Sequence, residues 1–127
     1  MKEEFTLPQA NLSYIPNFLQ PDIAEKVFHT LYSQTNWIQE PIKIFGKEMM
    51  QPRLTHLFGE KSYTYSNITM NPDPFPETLQ LLREKLENFT NNRFNVCLAN
   101  LYRDGQDSMG WHSDDEKGLG INPVIAS

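Results

Sequence analysis

Residues that cross-link chains, span bilayers or coat nucleic acid are scarce in this sequence of 127 residues. A single cysteine, Cys97, excludes an internal disulfide framework and any multi-cysteine zinc site; on its strand-like pattern it reads as a small buried apolar residue. The compartment this predicts is reducing and intracellular, cytoplasmic or nuclear. No apolar run approaches the roughly 20 residues needed to cross a bilayer. The opening Met-Lys-Glu-Glu-Phe-Thr lacks the apolar stretch of a signal peptide, so neither membrane insertion nor export is expected. Positive charge is short too: 11 Lys and Arg against 16 Asp and Glu leave a net charge of -5. Phosphate neutralisation supplies most non-specific nucleic-acid affinity, so this overall balance argues mildly against nucleic acid.

What is present suffices for one domain with a core and leaves no room for a second, given 39% hydrophobic and 12% aromatic residues. Charge is unevenly spread. Between Pro41 and Lys61 the bases Lys43, Lys47, Arg53 and Lys61 outweigh Glu48 and Glu60, whereas acids gather from Asp104 to Glu116. That asymmetry allows substrate contact by the basic segment and suits a metal site in the acidic one.

Along the chain, Leu12, Tyr14 and Ile15 suggest a short strand. Pro21 to Gln34 has the signature of a helix, with Asp22 and Glu25 spaced as a capping box and Ile23, Val27 and Leu31 as a buried stripe. Trp37 to Phe45 reads as extended, reaching a turn at Gly46-Lys47. Arg53 to Phe58 and Tyr63 to Met70 read as two strands joined by the turn at residues 59–62. After the proline-rich loop 71–76, Leu79, Leu82, Leu86 and Phe89 recur at helical spacing with Pro76 suited to the first turn. Phe94 to Tyr102 is a predicted strand, residues 104–107 a turn, Met109 to Asp114 a second strand, and Val124-Ile125-Ala126 the start of a third.

The chemistry concentrates between Asn100 and Glu116. His112 and Asp114 are two apart, so on a strand an imidazole and a carboxylate point the same way and one ion can bind both. Nitrogen plus hard oxygen suits ferrous iron in a site of two His and one carboxylate, which keeps positions open for substrate and O2. The second His is missing: His29 reads as a helix residue and His56 as a strand residue. Asn100 and Tyr102 end an otherwise apolar face formed with Phe94, Val96 and Leu98, and both can donate to a carboxylate. A bare His-x-Asp is also compatible with a solvated acidic turn. A calcium loop built from these acids fits no EF-hand spacing, because Trp111-His112 interrupts it.

Taken together, Asn100-x-Tyr102, a glycine-bearing turn and Gly110-Trp-His112-x-Asp114-Asp115-Glu116 resemble the AlkB family of iron(II)- and 2-oxoglutarate-dependent dioxygenases, particularly members that act on alkylated DNA. The likeness takes in Ile44-Phe45-Gly46-Lys47, Pro52-Arg53, Tyr63-Thr-Tyr65-Ser66 and Ile125-Ala-Ser127, about two thirds of the chain. It implies an α+β fold, the N-terminal part of a double-stranded β-helix (jelly roll) with two supporting helices and a hairpin nucleotide-recognition lid. Residues 1–127 would then be a single domain, incomplete at its C-terminal side, where the family's later strands bring the second iron-binding His and the arginines for 2-oxoglutarate and substrate.

The resemblance further implies Fe(II) held by His112, Asp114 and that further His, with 2-oxoglutarate hydrogen-bonded to Asn100 and Tyr102 and O2 as the other co-substrate. Decarboxylation of 2-oxoglutarate to succinate and CO2 would accompany hydroxylation of the alkyl carbon on a base such as N1-methyladenine or N3-methylcytosine, and the hemiaminal would release formaldehyde. Phe45 would be a wedge filling the gap left by a flipped base, and Arg53 would touch phosphate or the opened pair. Tyr63 and Tyr65 share a strand face; the family pattern puts Tyr65, with Ser66, against the lesion. Asp115 and Glu116 would read the exocyclic amine. The bland alternatives are a core Phe45, ordinary strand tyrosines and solvated loop acids. Rival functions are an RNA or protein demethylase of the same family, or a noncatalytic truncated remnant that binds a partner. An incomplete sheet leaves edges open to self-association.

Overall fold

The computed structural model describes residues 1–60, 63–65, 68–114 and 119–127; at positions 63, 65, 68 and 70 it describes the backbone alone. The chain divides into two compact units, residues 1–33 and 34–127.

In the first unit, β1 (Glu3–Leu7) and β2 (Ala10–Tyr14) form an antiparallel hairpin in the register Glu3↔Tyr14 to Leu7↔Ala10. Ser13 Oγ donates across it to Glu4 Oε2 at 2.7 Å. The sequence pattern shows only β2, because its partner begins with two glutamates, a residue depleted in strands. Helix α1 (Pro21–Gln34) follows where the periodicity places it. Its start differs from the capping-box expectation. Ala24 N donates to the carbonyl of Gln20, so Gln20 holds the cap position and Pro21 the first helical one. Asp22 therefore falls inside the first turn, where its carboxylate opposes the positive end of the helix dipole. Phe28 and Tyr32, one turn apart, stack at 5.8 Å between ring centroids.

The second unit opens with the hairpin of β3 (Pro41–Ile44) and β4 (Lys47–Met50). Its turn residues are Phe45 and Gly46, one position earlier than predicted, since Lys47 already pairs with Ile44. Strand β5 (Leu54–Gly59) is the centre of the unit and is covered on both faces, with Thr55, His56, Leu57 and Phe58 all buried. Its partner is β8 (Val96–Leu101), in the register Leu54↔Leu101 to Gly59↔Val96.

Tyr63 to Met70 is not one strand pairing with β5. It comprises β6 (Tyr63–Tyr65) and β7 (Ile68–Met70), which pair with each other. The edge of β5 is already occupied: Ile38 bridges Thr55 on one side of the ladder, and Asp73 bonds Leu57 and Gly59 through its own N–H and carbonyl.

Helix α2 (Glu77–Thr90) is entered from Pro76 and closed by Asn91 in the left-handed conformation, whose N–H reaches Glu87 O. It buries Leu79, while Phe89, expected on the same stripe, is half exposed. Two side chains tie α2 to the start of β8. Arg83 Nη1 donates to Phe94 O at 3.3 Å, and Phe94 N donates to Glu87 Oε2 at 2.8 Å. The Arg83 guanidinium also lies 4.3 Å from the centre of the Phe75 ring.

The described strands thus form four two-stranded antiparallel sheets beside two helices, an α+β arrangement. Two expected strands are not formed: Met109 to Asp114 and Val124 to Ala126 lie outside every sheet. An extended segment holds strand geometry only where a neighbour takes its N–H and C=O groups, and among the described residues no strand flanks either one.

Candidate functional site

The candidate site begins at the end of β8. Asn100 sits opposite Thr55 in the ladder, on the face shared with Leu57 and Leu98, and its side chain is exposed. Tyr102 follows one residue beyond the strand and is half exposed. Under Asn100, the Thr55 hydroxyl is buried with no hydrogen-bond partner among the described residues.

The chain then turns. The Asp104 carboxylate accepts from Gln106 N at 2.8 Å, and Asp107 N donates to Asp104 O at 3.2 Å. Asp107 closes the turn by reaching back to Arg103, accepting from its backbone N at 2.9 Å and from Nε and Nη2 at 2.7 and 3.0 Å. Those guanidinium bonds hold the Asp107 carboxyl below the ordinary carboxylate range, and the same contact raises Arg103 further.

Beyond this turn, His112 Nδ1 lies 2.8 Å from Gly110 O, and Nε2 faces Asp114 Oδ1 at 3.5 Å. A carbonyl oxygen only accepts, so Nδ1 is the donor in that bond, which leaves Nε2 as the nitrogen facing the carboxylate. This is the orientation a metal-ligating imidazole takes, with its other nitrogen donating to a backbone carbonyl. Two ligand atoms each about 2.1 Å from one ion are at most about 4.2 Å apart, and the observed separation is within that reach. Both side chains are half exposed, which leaves them open to an incoming ion. Among the described residues no third His, Cys, Asp or Glu joins them. Among the described residues the hydrogen-bond and ion-pair partners of the pair are Gly110 and each other, not Asn100 or Tyr102.

A model of the 2OG-Fe(II) oxygenase superfamily matches residues 11–127. The chain belongs to that superfamily. Among curated proteins it is 43% identical over 113 residues to the alpha-ketoglutarate-dependent dioxygenase alkB homolog 3 of Bos taurus, a match covering 88% of this chain and 40% of that protein. It is 33% identical over 109 residues to the DNA oxidative demethylase ALKBH2 of Bos taurus, covering 82% of this chain and 39% of the relative. The ALKBH2 of Arabidopsis thaliana is 32% identical over 124 residues, covering 93% and 40%. The AlkB resemblance carried by the motif therefore stands, and the chain spans about 40% of the length of these relatives.

For a 2OG-Fe(II) oxygenase, the donor set at His112 and Asp114 fits the metal: one imidazole nitrogen and one carboxylate oxygen, with the ring oriented by a backbone carbonyl. The remaining predicted site residues that are described lie on other segments of the chain. Phe45 is fully exposed at the tip of the β3–β4 hairpin, more than a core reading allows, with φ of 49° beside Gly46 at 77°. Positive φ at both central residues is the pattern of a type I′ turn, unusual for so bulky a side chain. Arg53 lies in the interior, 4% exposed, with Nε donating to Gln51 Oε1 at 3.0 Å. Gln51 is itself buried, bonded through its backbone to Glu40 and to the Gln39 side chain. Tyr63 and Tyr65 occupy alternate positions of β6. Ser66, Asp115 and Glu116 lie outside the described residues.

His29 is solvent-exposed on α1, 3.7 Å from Glu25. His56 is buried, with Nε2 2.8 Å from Asp73 Oδ2. Sequence reasoning missed the Gln51–Arg53–Thr55 row, where period-two polar residues suggest a solvent face and are instead enclosed. It also missed the Arg103–Asp107 contact, whose only trace is an opposite-charge pair bracketing a glycine turn. No described helix is long and apolar enough to cross a membrane.

Proposed function

We propose that this chain is the N-terminal portion of an AlkB-type double-stranded β-helix enzyme, a single catalytic domain that oxidatively dealkylates N-alkylated bases such as N1-methyladenine or N3-methylcytosine in DNA. The observation that carries the reading is the His112–Asp114 pair, with Nε2 and Oδ1 3.5 Å apart and Nδ1 2.8 Å from Gly110 O. When bound, iron(II) with 2-oxoglutarate supplies the capacity to hydroxylate a C–H bond with O2.

His112 and Asp114 would supply two protein ligands to the metal. Asn100 and Tyr102, an amide and a phenol at the end of β8, donate hydrogen bonds to the co-substrate carboxylate. Asp115 and Glu116, next along the chain, accept from the exocyclic amine of the damaged base, and Tyr63, Tyr65 and Ser66 contact the flipped nucleotide. Arg53 serves the same pocket from its interior position. Phe45 enters the duplex where the base has left. Its full exposure and its place at a hairpin tip support that role, because an exposed aromatic ring there has no partner to lose on insertion. The β3–β4 hairpin is the nucleotide-recognition lid. The place of work is intracellular, in cytoplasm or nucleus, and the open strand edges of the chain alone favour self-association.

Formaldehyde and succinate release tests the reading, using a methylated DNA oligonucleotide with Fe(II), 2-oxoglutarate and O2, for this chain and for a version extended at its C-terminus to the length of the relatives. Turnover by the extended protein that is lost in His112→Ala and Asp114→Ala is expected. Tight binding of the oligonucleotide without turnover by that protein would overturn the enzymatic reading in favour of a binding remnant, and turnover confined to RNA would overturn the substrate.

A further inference from the structure

Between the co-substrate residues and the metal pair runs a nine-residue span, 103–111, that carries no strand or helix of its own. A ligand set delivered from such a span needs something to fix its direction, since two reacting sites on one chain are useful only at a constant separation. The segment contains one strong constraint. Asp107, whose side chain is 7% exposed, accepts three hydrogen bonds from Arg103, one from its backbone N and two from its guanidinium.

Charge-assisted, two-pronged bonds of this type fix orientation as well as distance. The residues they join are informative: Arg103 immediately follows Tyr102, and Asp107 lies five residues before His112. The Asp104 carboxylate holds the inside of the same turn through Gln106 N. Gly105 and Gly110 flank Asp107 with no atom within 4 Å of where a Cβ would stand, so side-chain packing at those positions does not hold the turn.

We infer that the Arg103–Asp107 pair is a positioning clamp, setting the placement of His112 and Asp114 relative to Asn100 and Tyr102, so that metal and 2-oxoglutarate carboxylate are held at a fixed spacing. Neither residue touches the reacting groups; both act through the chain between them. The inference rests on the metal reading of His112 and Asp114. Its chemistry requires Asp107 to be a carboxylate and Arg103 a fork-shaped donor. Asparagine at 107 keeps the shape but loses the charge and one acceptor oxygen, and lysine at 103 keeps the charge but loses the fork.

The test uses the 127-residue chain with Mn(II) as the metal probe, followed by quenching of Trp111, which is fully exposed beside His112. Amide hydrogen exchange is measured in parallel on the metal-free chain. Asp107→Asn is expected to weaken Mn(II) binding about ten-fold, the range for residues that orient metal ligands without touching the ion. Exchange at residues 109–114 should accelerate while β5, β8 and α2 stay protected. Arg103→Lys should fall between Asp107→Asn and the parent chain. Mn(II) affinity lost in His112→Ala but kept in Asp107→Asn overturns the clamp and leaves the metal reading intact. Mn(II) affinity that survives His112→Ala overturns the metal reading, and the clamp with it. Loss of protection throughout β5 and β8 in Asp107→Asn overturns the clamp in favour of a general structural role.

Discussion

Replacing Phe45 by asparagine should make the protein more stable and worse at handling duplex DNA. Phe45 has φ of 49° and is fully exposed, and Gly46 follows at 77°. The left-handed region costs an ordinary L-residue roughly 1–2 kcal/mol, whereas Asn-Gly is the preferred pair for a type I′ turn. Because the ring is exposed, its removal sacrifices no buried apolar area, and the gain from relieved backbone strain is about 0.5–1 kcal/mol. In thermal unfolding this appears as a midpoint raised by about 2–5 °C. A wedge that stacks in the duplex contributes about 1–3 kcal/mol, so Phe45→Asn should weaken binding to a methylated duplex by about 5- to 150-fold, read by fluorescence anisotropy, with single-strand binding nearly unchanged. A midpoint lowered by several degrees would show that Phe45 packs against something and would refute the strain argument. Equal losses on duplex and single strand would refute the wedge.

Three further outcomes follow from the same coordinates. Arg103 hydrogen bonds depress the Asp107 carboxyl, so the stability it contributes is full above the unfolded carboxylate range near pH 4 and is lost as pH falls through the lower folded value. Titrated by NMR in acid, the Arg103 Nε–H signal should collapse only below about pH 4, and a collapse centred near neutrality would contradict the assignment. Asp73→Ala removes the partner of His56 Nε2 while His56 Nδ1 is already buried without one among the described residues, and should cost about 1–3 kcal/mol in urea unfolding; an unchanged midpoint would mean the imidazole is satisfied elsewhere. Gly59→Ala would place a Cβ 2.6 Å from Asn95 O at a φ of +149°, and should destabilise the β5–β8 pair by more than about 1 kcal/mol, with exchange of the β8 amides as the local readout. A neutral effect there would show the backbone can yield.

Helix positions were the most legible part of the sequence, although the cap of α1 and the β3–β4 turn fall elsewhere than expected. Helix α1 spans the residues its apolar spacing predicts, and α2 runs from Glu77 to Thr90, with Pro76 as its extended N-cap rather than inside its first turn. Pairing was less legible. Strand β5 takes β8 as partner over 36 intervening residues, 60–95, rather than the nearer Tyr63–Met70 segment, and nothing within either strand names its neighbour. The burial of the polar row Gln51, Arg53 and Thr55 was not legible for a related reason: alternation shows that two faces differ, but which one meets solvent depends on what else in the chain arrives there.

The site divides along the same line. His112 and Asp114 were expected together because a strand repeats every two residues, yet the structure brings them within 3.5 Å without a strand. The Gly110 carbonyl fixes the ring, and the bend does what the pleat was expected to do. Proximity in sequence was therefore the sound part of that inference, and the regular geometry was not. Arg103 and Asp107 show the converse. Four residues apart in a turn, they obey no periodicity that a pattern search scores, so the contact we infer to position the metal segment is visible only as three short distances. A motif records which atoms meet the ion; the groups that aim those atoms are fixed by hydrogen-bond geometry, which many pairs of residue types can satisfy.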